Sequence, residues 1–186
     1  MKVTPLELPE VLLLTPTIHS DSRGYFFESF RLQQLQQLLG QDIQFVQENQ
    51  SRSSFGVLRG LHFQRPPYGQ AKLIRVVEGE IFDVVVDIRH GSPNFAKTAA
   101  IKLNAQQHQQ LFIPTGFAHG FLTLSEQATV VYKVDNYYSP SHDAGLAFND
   151  PQLAIQWPLA TKQLILSAKD LQQPSLAQLN SGFNWL

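Results

Sequence analysis

Glu80-Ile-Phe-Asp-Val-Val-Val-Asp-Ile-Arg89 is the stretch that decides the fold class. Read with the two-residue period of a strand, Phe82, Val84, Val86 and Ile88 share one face. Ile81, Asp83, Val85, Asp87 and Arg89 share the other. An ordinary sandwich strand has one apolar face and one wet face. Here the second face mixes apolar and charged groups, which suits a partly polar interior cavity or a subunit interface. Outward from this run, everything between Ile43 and Tyr138 reads as strand, with connections at Pro66-Pro67, Gly79, Gly91-Ser-Pro93 and Pro114-Thr-Gly116. Short turns, many strands and no alternating long helices predict an all-β fold, an antiparallel sandwich or jelly-roll barrel. Upstream, Val11 to Leu14 reads as a short strand, and Asp21-Ser-Arg-Gly24 as a turn into Tyr25-Phe-Phe27. Leu32, Leu35, Leu38 and Leu39 predict one helix, with Ser29 at the N-cap position and Gly40 stopping it. The C-terminal stretch is proline-rich and irregular, with short helical pieces near 167–180.

The chain has 186 residues, enough for one domain with a full hydrophobic core, and the expectation is a single unit over 1–186. Hydrophobic residues make up 43% and charged residues 16%, which argues against wholesale disorder. Fourteen Lys plus Arg against 15 Asp plus Glu give a net charge of -1, so no basic nucleic-acid face is expected, while a local anion site stays open. Without cysteine there is neither a disulfide framework nor a thiolate nucleophile. No stretch approaches the roughly 20 apolar residues of a membrane span, and Glu7, Pro9 and Glu10 interrupt any signal-like run. These features lead to the expectation of a cytoplasmic protein with no membrane partner.

Chemistry-bearing side chains gather in two motifs. Gly56-Val-Leu-Arg-Gly-Leu-His-Phe-Gln64 sets Arg59 and His62 three positions apart, and Ile113-Pro-Thr-Gly-Phe-Ala-His119-Gly-Phe121 supplies a second histidine. Arg59, Lys72 and Arg75 make the region cationic, and that much charge among Phe63, Leu73 and Ile74 calls for an anion such as a phosphate or diphosphate. Ion pairs with Glu78, Glu80 or Asp83 are the plainer alternative. For a metal, strand periodicity asks for ligands at i and i+2, but the pair is His62 and Gln64, and position 72 is lysine. His62 and His119 alone are too few, so no metal is expected. Tyr132 lies in the strand Thr129–Asp135 and shares parity with Val130, Val134 and Tyr138, as either a core tyrosine or a proton donor. Ser167-Ala-Lys-Asp170 has capping-box spacing, which accounts for Asp170 without catalysis.

Residues 19 to 170 resemble the dTDP-4-dehydrorhamnose 3,5-epimerase family. The resemblance is carried by Asp21-Ser-Arg-Gly-Tyr-Phe-Phe-Glu28, Gln47-Glu-Asn-Gln-Ser51, the two histidine motifs, Gln70-Ala-Lys-Leu-Ile-Arg-Val76 and the run to Arg89. It continues through Val131-Tyr-Lys133, Tyr137-Tyr-Ser-Pro140, Asn149-Asp-Pro151 and Leu166-Ser-Ala-Lys-Asp170, in order and at family spacing. It implies a cupin-type antiparallel jelly-roll barrel with a few short peripheral helices. It further implies a homodimer that exchanges N-terminal β-structure, with residues 1–50 contributing to the dimer and 140–186 packing over the barrel.

The implied activity is cofactor-independent epimerisation at C3 and C5 of dTDP-4-dehydro-6-deoxy-D-glucose, giving dTDP-4-dehydro-L-rhamnose. A C3-only epimerase or related isomerase, and a non-catalytic nucleotide-sugar binding protein, are the alternatives. By resemblance His62 is the base, paired with Asp170; Tyr132 is the acid on the other face; Lys72 sits by the developing enolate oxygen. Arg59 and Arg23 are implied phosphate contacts, Arg23 and Glu28 coming from the neighbouring subunit. Gln47, Asn49, His119, Tyr138 and Lys169 are implied to line the substrate site. Asp143 departs from the family, which usually has glutamate there before a bulkier, more basic stretch than Asp143-Ala-Gly-Leu-Ala147. One methylene fewer shortens the side chain by about 1.5 Å, so a direct hydrogen bond to a ligand is expected to become water-mediated.

Overall fold

Alternating burial along the central strands arranges the chain in two facing antiparallel sheets. The computed structural model describes residues Met1–Trp185. In chain order the strands are β1 (Lys2–Pro5), β2 (Leu12–Thr15), β3 (His19–Asp21), β4 (Gly24–Phe26), β5 (Gln47–Ser54), β6 (Leu58–Gln64) and β7 (Lys72–Glu78). They continue as β8 (Glu80–Asp87), β9 (Thr98–Asn104), β10 (Gln110–Ile113), β11 (Phe117–Thr123), β12 (Gln127–Val134) and β13 (Asp143–Gly145). The first sheet runs β1-β2-β10-β7-β12-β5 and the second β13-β6-β11-β8-β9, while β3 and β4 form a separate hairpin. The expected barrel is thus observed as two sheets that share no strand pairing among the described residues.

Between the sheets, Ile74, Val76, Leu111 and Val130 of the first meet Ile81, Val85, Leu103 and Phe121 of the second. Full burial of each such side chain contributes about 1.5–3 kcal/mol. The outer face of β8 is also dry. Val84 and Val86 pack with Leu61, Phe63 and Ala118 beneath Leu153 and Leu176 of the C-terminal segment. Both faces of the deciding stretch are therefore buried, one by the facing sheet and one by irregular chain.

That irregular chain is fixed at both ends of the second sheet. Val57 bridges Ile165 and His90 bridges Asn184, both in parallel. Ser181 Oγ donates to the Ile88 carbonyl at 2.7 Å. Single-turn helices form at Thr161–Gln163, Asp170–Gln172 and Leu176–Gln178, the first lying upstream of the expected range.

Helix α1 (Leu32–Leu39) covers the outer face of the first sheet, placing Leu35 against Leu14, Leu73 and Phe112. Gly40 ends it in the left-handed conformation at φ 63°, as expected. Ser29 is not its N-cap. The capping position falls to Arg31, without a side-chain hydrogen bond, and the Ser29 carbonyl instead accepts from Gln110 Nε2 at 2.6 Å. Leu38 remains 40% exposed, so the leucine stripe is only partly used within one chain.

Candidate active site

Arg59 and His62 are three residues apart on β6, a spacing that sends side chains to opposite faces of a regular strand. They nevertheless share the inner face, because β6 carries one extra residue against β11. His119 pairs with His62, but Phe121 pairs with Arg59. This bulge re-aims the arginine into the same space as the histidine. It requires glycine on both strands. Gly60 has φ +123°, and a Cβ there would meet the Gly120 Cα at 2.5 Å. Leu58, Leu61 and Phe63 point outward into apolar clusters, while Arg59, His62 and Gln64 point in. Gln64 is consumed by backbone: it accepts from Ser139 N at 2.6 Å and donates to the carbonyls of Tyr68 at 2.8 Å and Tyr137 at 3.1 Å. Among the described residues no three His, Asp or Glu side chains converge in an arrangement that could hold a metal ion.

The opposite wall comes from the first sheet. Tyr132 on β12 pairs with Ile74 of β7 and Val134 pairs with Lys72, so Tyr132 and Lys72 are neighbours on one face. Across from β12, strand β5 contributes Gln47 and Asn49, joined at 2.8 Å. The two walls enclose confluent lobes of about 480 and 320 Å³, both lined by His62, Lys72, Tyr132 and Lys169. Arg59 and His119 belong to the first lobe; Gln47, Asn49, Tyr138 and Asp143 belong to the second. Burial lowers the Lys72 pKa to about 8, against the opposing fields of Asp83 and Asp143. Burial raises the Tyr132 phenol above its ordinary value, although the Arg59 charge and a hydrogen bond to Asn49 oppose it.

The C-terminal segment brings the carboxylates. Gly145 on β13 pairs with His62, and a Cβ at Gly145 would meet the Gln173 side chain at 2.3 Å. That close passage lets the chain drop Asp170 onto His62, with Oδ1 to Nε2 at 2.5 Å. Asp170 Oδ2 accepts from Ser167 Oγ at 2.8 Å, and the Asp170 N–H donates back to Ser167 Oγ at 3.1 Å. The capping and catalytic readings are therefore compatible, since one oxygen serves the turn and the other the imidazole. Burial alone would raise the Asp170 pKa, but the His62 hydrogen bond and charge, Ser167 and Lys169 together hold it below the ordinary carboxylate value. Asp143 accepts from the Tyr138 hydroxyl at 3.0 Å and forms an ion pair with Lys169. The shortened carboxylate thus has direct partners within the chain.

His62, Tyr132, Asp170, Lys72, Gln47, Asn49, Arg59, His119, Tyr138, Asp143 and Lys169 all border this one cavity. Arg23 and Glu28 do not. Arg23 lies at the tip of the exposed β3–β4 hairpin, bonded among the described residues only to Asp21, and Glu28 pairs with Arg31. Arg75 also departs from the expected cationic group. It has the opposite parity to Lys72 on β7 and lies outside, 5.7 Å from the Phe27 ring. Two residues of the site went unassigned by sequence reasoning. Ser167 orients Asp170, and Asp83 holds His119 Nε2 at 2.8 Å. The parity of Glu80–Arg89 had already put Asp83 on the mixed face, which is the signal that could have found it.

Known proteins resemble the chain along almost its whole length. A sequence model described as dTDP-4-dehydrorhamnose 3,5-epimerase matches residues 5–178. The enzyme of that name from Escherichia coli (strain K12) is 50% identical over 179 residues, covering 96% of each chain. Its Salmonella typhimurium counterpart is 48% identical, covering 96% of this chain and 97% of the relative. Among solved structures, the dTDP-6-deoxy-D-glucose-3,5-epimerase of Legionella pneumophila Philadelphia 1 in complex with dTDP-4-keto-L-rhamnose superposes with TM-score 0.95 at 42% identity. The match covers 100% of this chain and 98% of that one. The chain belongs to the dTDP-4-dehydrorhamnose 3,5-epimerase family.

Proposed function

We propose that the protein inverts C3 and C5 of dTDP-4-dehydro-6-deoxy-D-glucose, producing dTDP-4-dehydro-L-rhamnose. The observation that carries the reading is the opposition of two proton-transfer groups across one cavity. His62, backed by Asp170, stands on the second sheet, and Tyr132 stands on the first beside Lys72. A ketone at C4 acidifies the hydrogens at C3 and C5. With Nε2–H donated to Asp170, His62 keeps the Nδ1 lone pair to take one of them. The electron pair moves to the C4 oxygen, where the Lys72 ammonium stabilises the enolate inside a poorly hydrated site. Tyr132 then gives its phenolic proton to the opposite face and the centre inverts. His62 ends one proton richer and Tyr132 one poorer, and exchange with solvent resets both. Repetition at the second enolisable carbon requires the ring to reposition. No hydride is transferred, so the scheme uses no nicotinamide. Arg59 and Lys169 are assigned to the diphosphate, and Gln47, Asn49, Tyr138 and Asp143 to the nucleotide side.

The test is proton NMR of the keto sugar nucleotide incubated with the protein in deuterated water. Both the C3 and C5 signals are expected to wash out, with the L-lyxo product appearing. Loss at C3 alone would select a single epimerase, and retention of both would leave only a binding protein.

The same reading makes one chain a half-complete unit, a cupin-type barrel domain working as a homodimer in the cytoplasm. Tyr25 and Phe26 on the β3–β4 hairpin are 61% and 71% exposed, next to an arginine that among the described residues has no partner beyond its own hairpin. In the dimer the hairpin reaches the partner's cavity, where Arg23 completes the anion site and Glu28 contacts the substrate. Mixing inactive His62→Ala with inactive Arg23→Ala subunits is expected to restore activity, because one site of the heterodimer then carries neither lesion. No recovery after demonstrated subunit exchange would refute the shared site.

A further inference from the structure

The β3–β4 hairpin stands off the body of its own chain. Its two strands pair only with each other, and among the described residues the hairpin makes no hydrogen bond to the rest of the protein. Between it, β7 and the β9–β10 loop lies a cleft of about 610 Å³, lined by Tyr25, Phe27, Arg75, Val77, Gln106 and His108. A two-stranded ribbon is marginally stable by itself. With Tyr25 and Val77 both largely in water, such a ribbon would gain by collapsing into the cleft. A contact that keeps the hairpin at its observed angle is therefore needed.

His108 supplies that contact. The two-residue period puts Tyr25 and Phe27 on one side of the chain and Phe26 on the other. The His108 ring lies 4.6 Å from Tyr25 and 4.7 Å from Phe27, centroid to centroid, and those two rings are stacked 6.0 Å apart. All three separations fall within the roughly 4.5–7 Å over which aromatic pairs attract. The Arg75 guanidinium, 5.7 Å from the Phe27 ring, adds a second tie to β7.

The base of this wedge is fixed. His108 has φ +53°, a left-handed backbone that histidine, asparagine and aspartate enter more readily than other side chains. Its loop is pinned on both sides. Asn104 Oδ1 accepts from Gln107 N at 3.0 Å, Gln109 Nε2 donates to Thr15 Oγ1 at 3.2 Å, and Gln110 Nε2 donates to the Ser29 carbonyl. His108 borders neither lobe of the catalytic cavity, so the proton-transfer scheme gives it no task.

We propose that His108 is a positioning residue that braces the β3–β4 hairpin of its own chain at the angle that delivers Arg23 to the neighbouring subunit's cavity. This rests on the shared-site reading and names the side chain that sets the hairpin's reach.

The experiment uses a heterodimer of a His62→Ala chain and an Arg23→Ala chain, tagged differently and isolated. Its one intact site combines the hairpin of the first chain with the cavity of the second. His108→Asn removes the ring but suits the left-handed backbone, and it is placed on each chain in turn. On the chain donating the working hairpin it is expected to raise KM by about 5- to 20-fold with kcat nearly unchanged, because a hairpin poised only part of the time lowers apparent affinity by that fraction. On the chain donating the working cavity it should change neither constant. In wild-type protein, NMR should show cross-relaxation from the His108 ring protons to the rings of Tyr25 and Phe27. Equal losses in both placements, a loss only on the cavity chain, no loss in either, or absence of those cross-peaks would each overturn the proposal. Should His108→Asn fail to fold in thermal melts, His108→Gly takes its place, and the wild-type cross-peaks still test the brace. An inactive heterodimer with His108 intact, after proven subunit exchange, defeats the shared-site reading and this inference with it. An active heterodimer indifferent to the placement of His108→Asn defeats this inference alone.

Discussion

Replacing His62 by alanine is expected to remove C3 and C5 hydrogen exchange by about 10²–10⁴-fold, the range for loss of a positioned general base. Tyr132→Phe should behave differently, retaining part of the exchange while losing the inverted product, because deprotonation precedes the step it serves. Single-turnover NMR in deuterated water separates the two, and full exchange by His62→Ala would remove the base assignment. Asp170→Asn is expected to fall between them. An asparagine at 170 can still accept from Ser167, so the turn survives, but it no longer stabilises the imidazolium that forms on His62. The His62 side chain is 32% exposed and the Asp170 side chain 5%, so the pair is reachable by substrate only from the imidazole side. An unchanged rate in a folded Asp170→Asn protein would return that carboxylate to a purely structural role. Because the Asp170 pKa is held below its ordinary value of 3.8, its contribution to stability is present above that value and is lost as pH falls through the folded value.

Lys72→Met is expected to lower kcat by about two orders of magnitude or more, since it removes the positive charge at the developing enolate. Wild-type activity should show a descending limb near pH 8, where Lys72 loses its proton. Stability should move the opposite way. Burial puts the folded pKa at about 8, below the ordinary 10.5, so between these values the unfolded chain binds more protons. Stability from this group therefore rises with pH across that window and is flat below it. Chemical denaturation across the same range should reveal the rise in wild type and its absence in Lys72→Met. A descending activity limb that persists unchanged in the residual rate of Lys72→Met would assign it to another group.

Much of the site was legible in strand parity. The two-residue period put Tyr132 with Val130 and Asp83 with Val85, and each of these sets shares one inner face. The same rule put Arg75 on the face away from Lys72, against the reading of Arg59, Lys72 and Arg75 as one cationic group; the outward position of Arg75 follows from parity alone. The early helix was readable from its leucines and Gly40, but its start was not. Serine favours an N-cap only where the backbone after it turns helical, and here the chain stays extended through Arg31, with the Ser29 carbonyl tied to Gln110.

By itself the sequence determined the all-β architecture, the turn positions, the mixed inner face of β8, the parity of Tyr132 on β12, and, through ordered motifs, the family. The tertiary structure decided what depends on contacts distant along the chain. Arg59 and His62 share a face only because β6 bulges against β11 at Gly60 and Gly120, and no local periodicity encodes an extra residue in a partner strand. Asp170 reaches His62 across 108 residues of sequence because the C-terminal segment buries Leu153 and Leu176 on the outer face of the second sheet. Local spacing explains the bond between Asp170 and Ser167; only apolar packing of that segment explains the bond to His62.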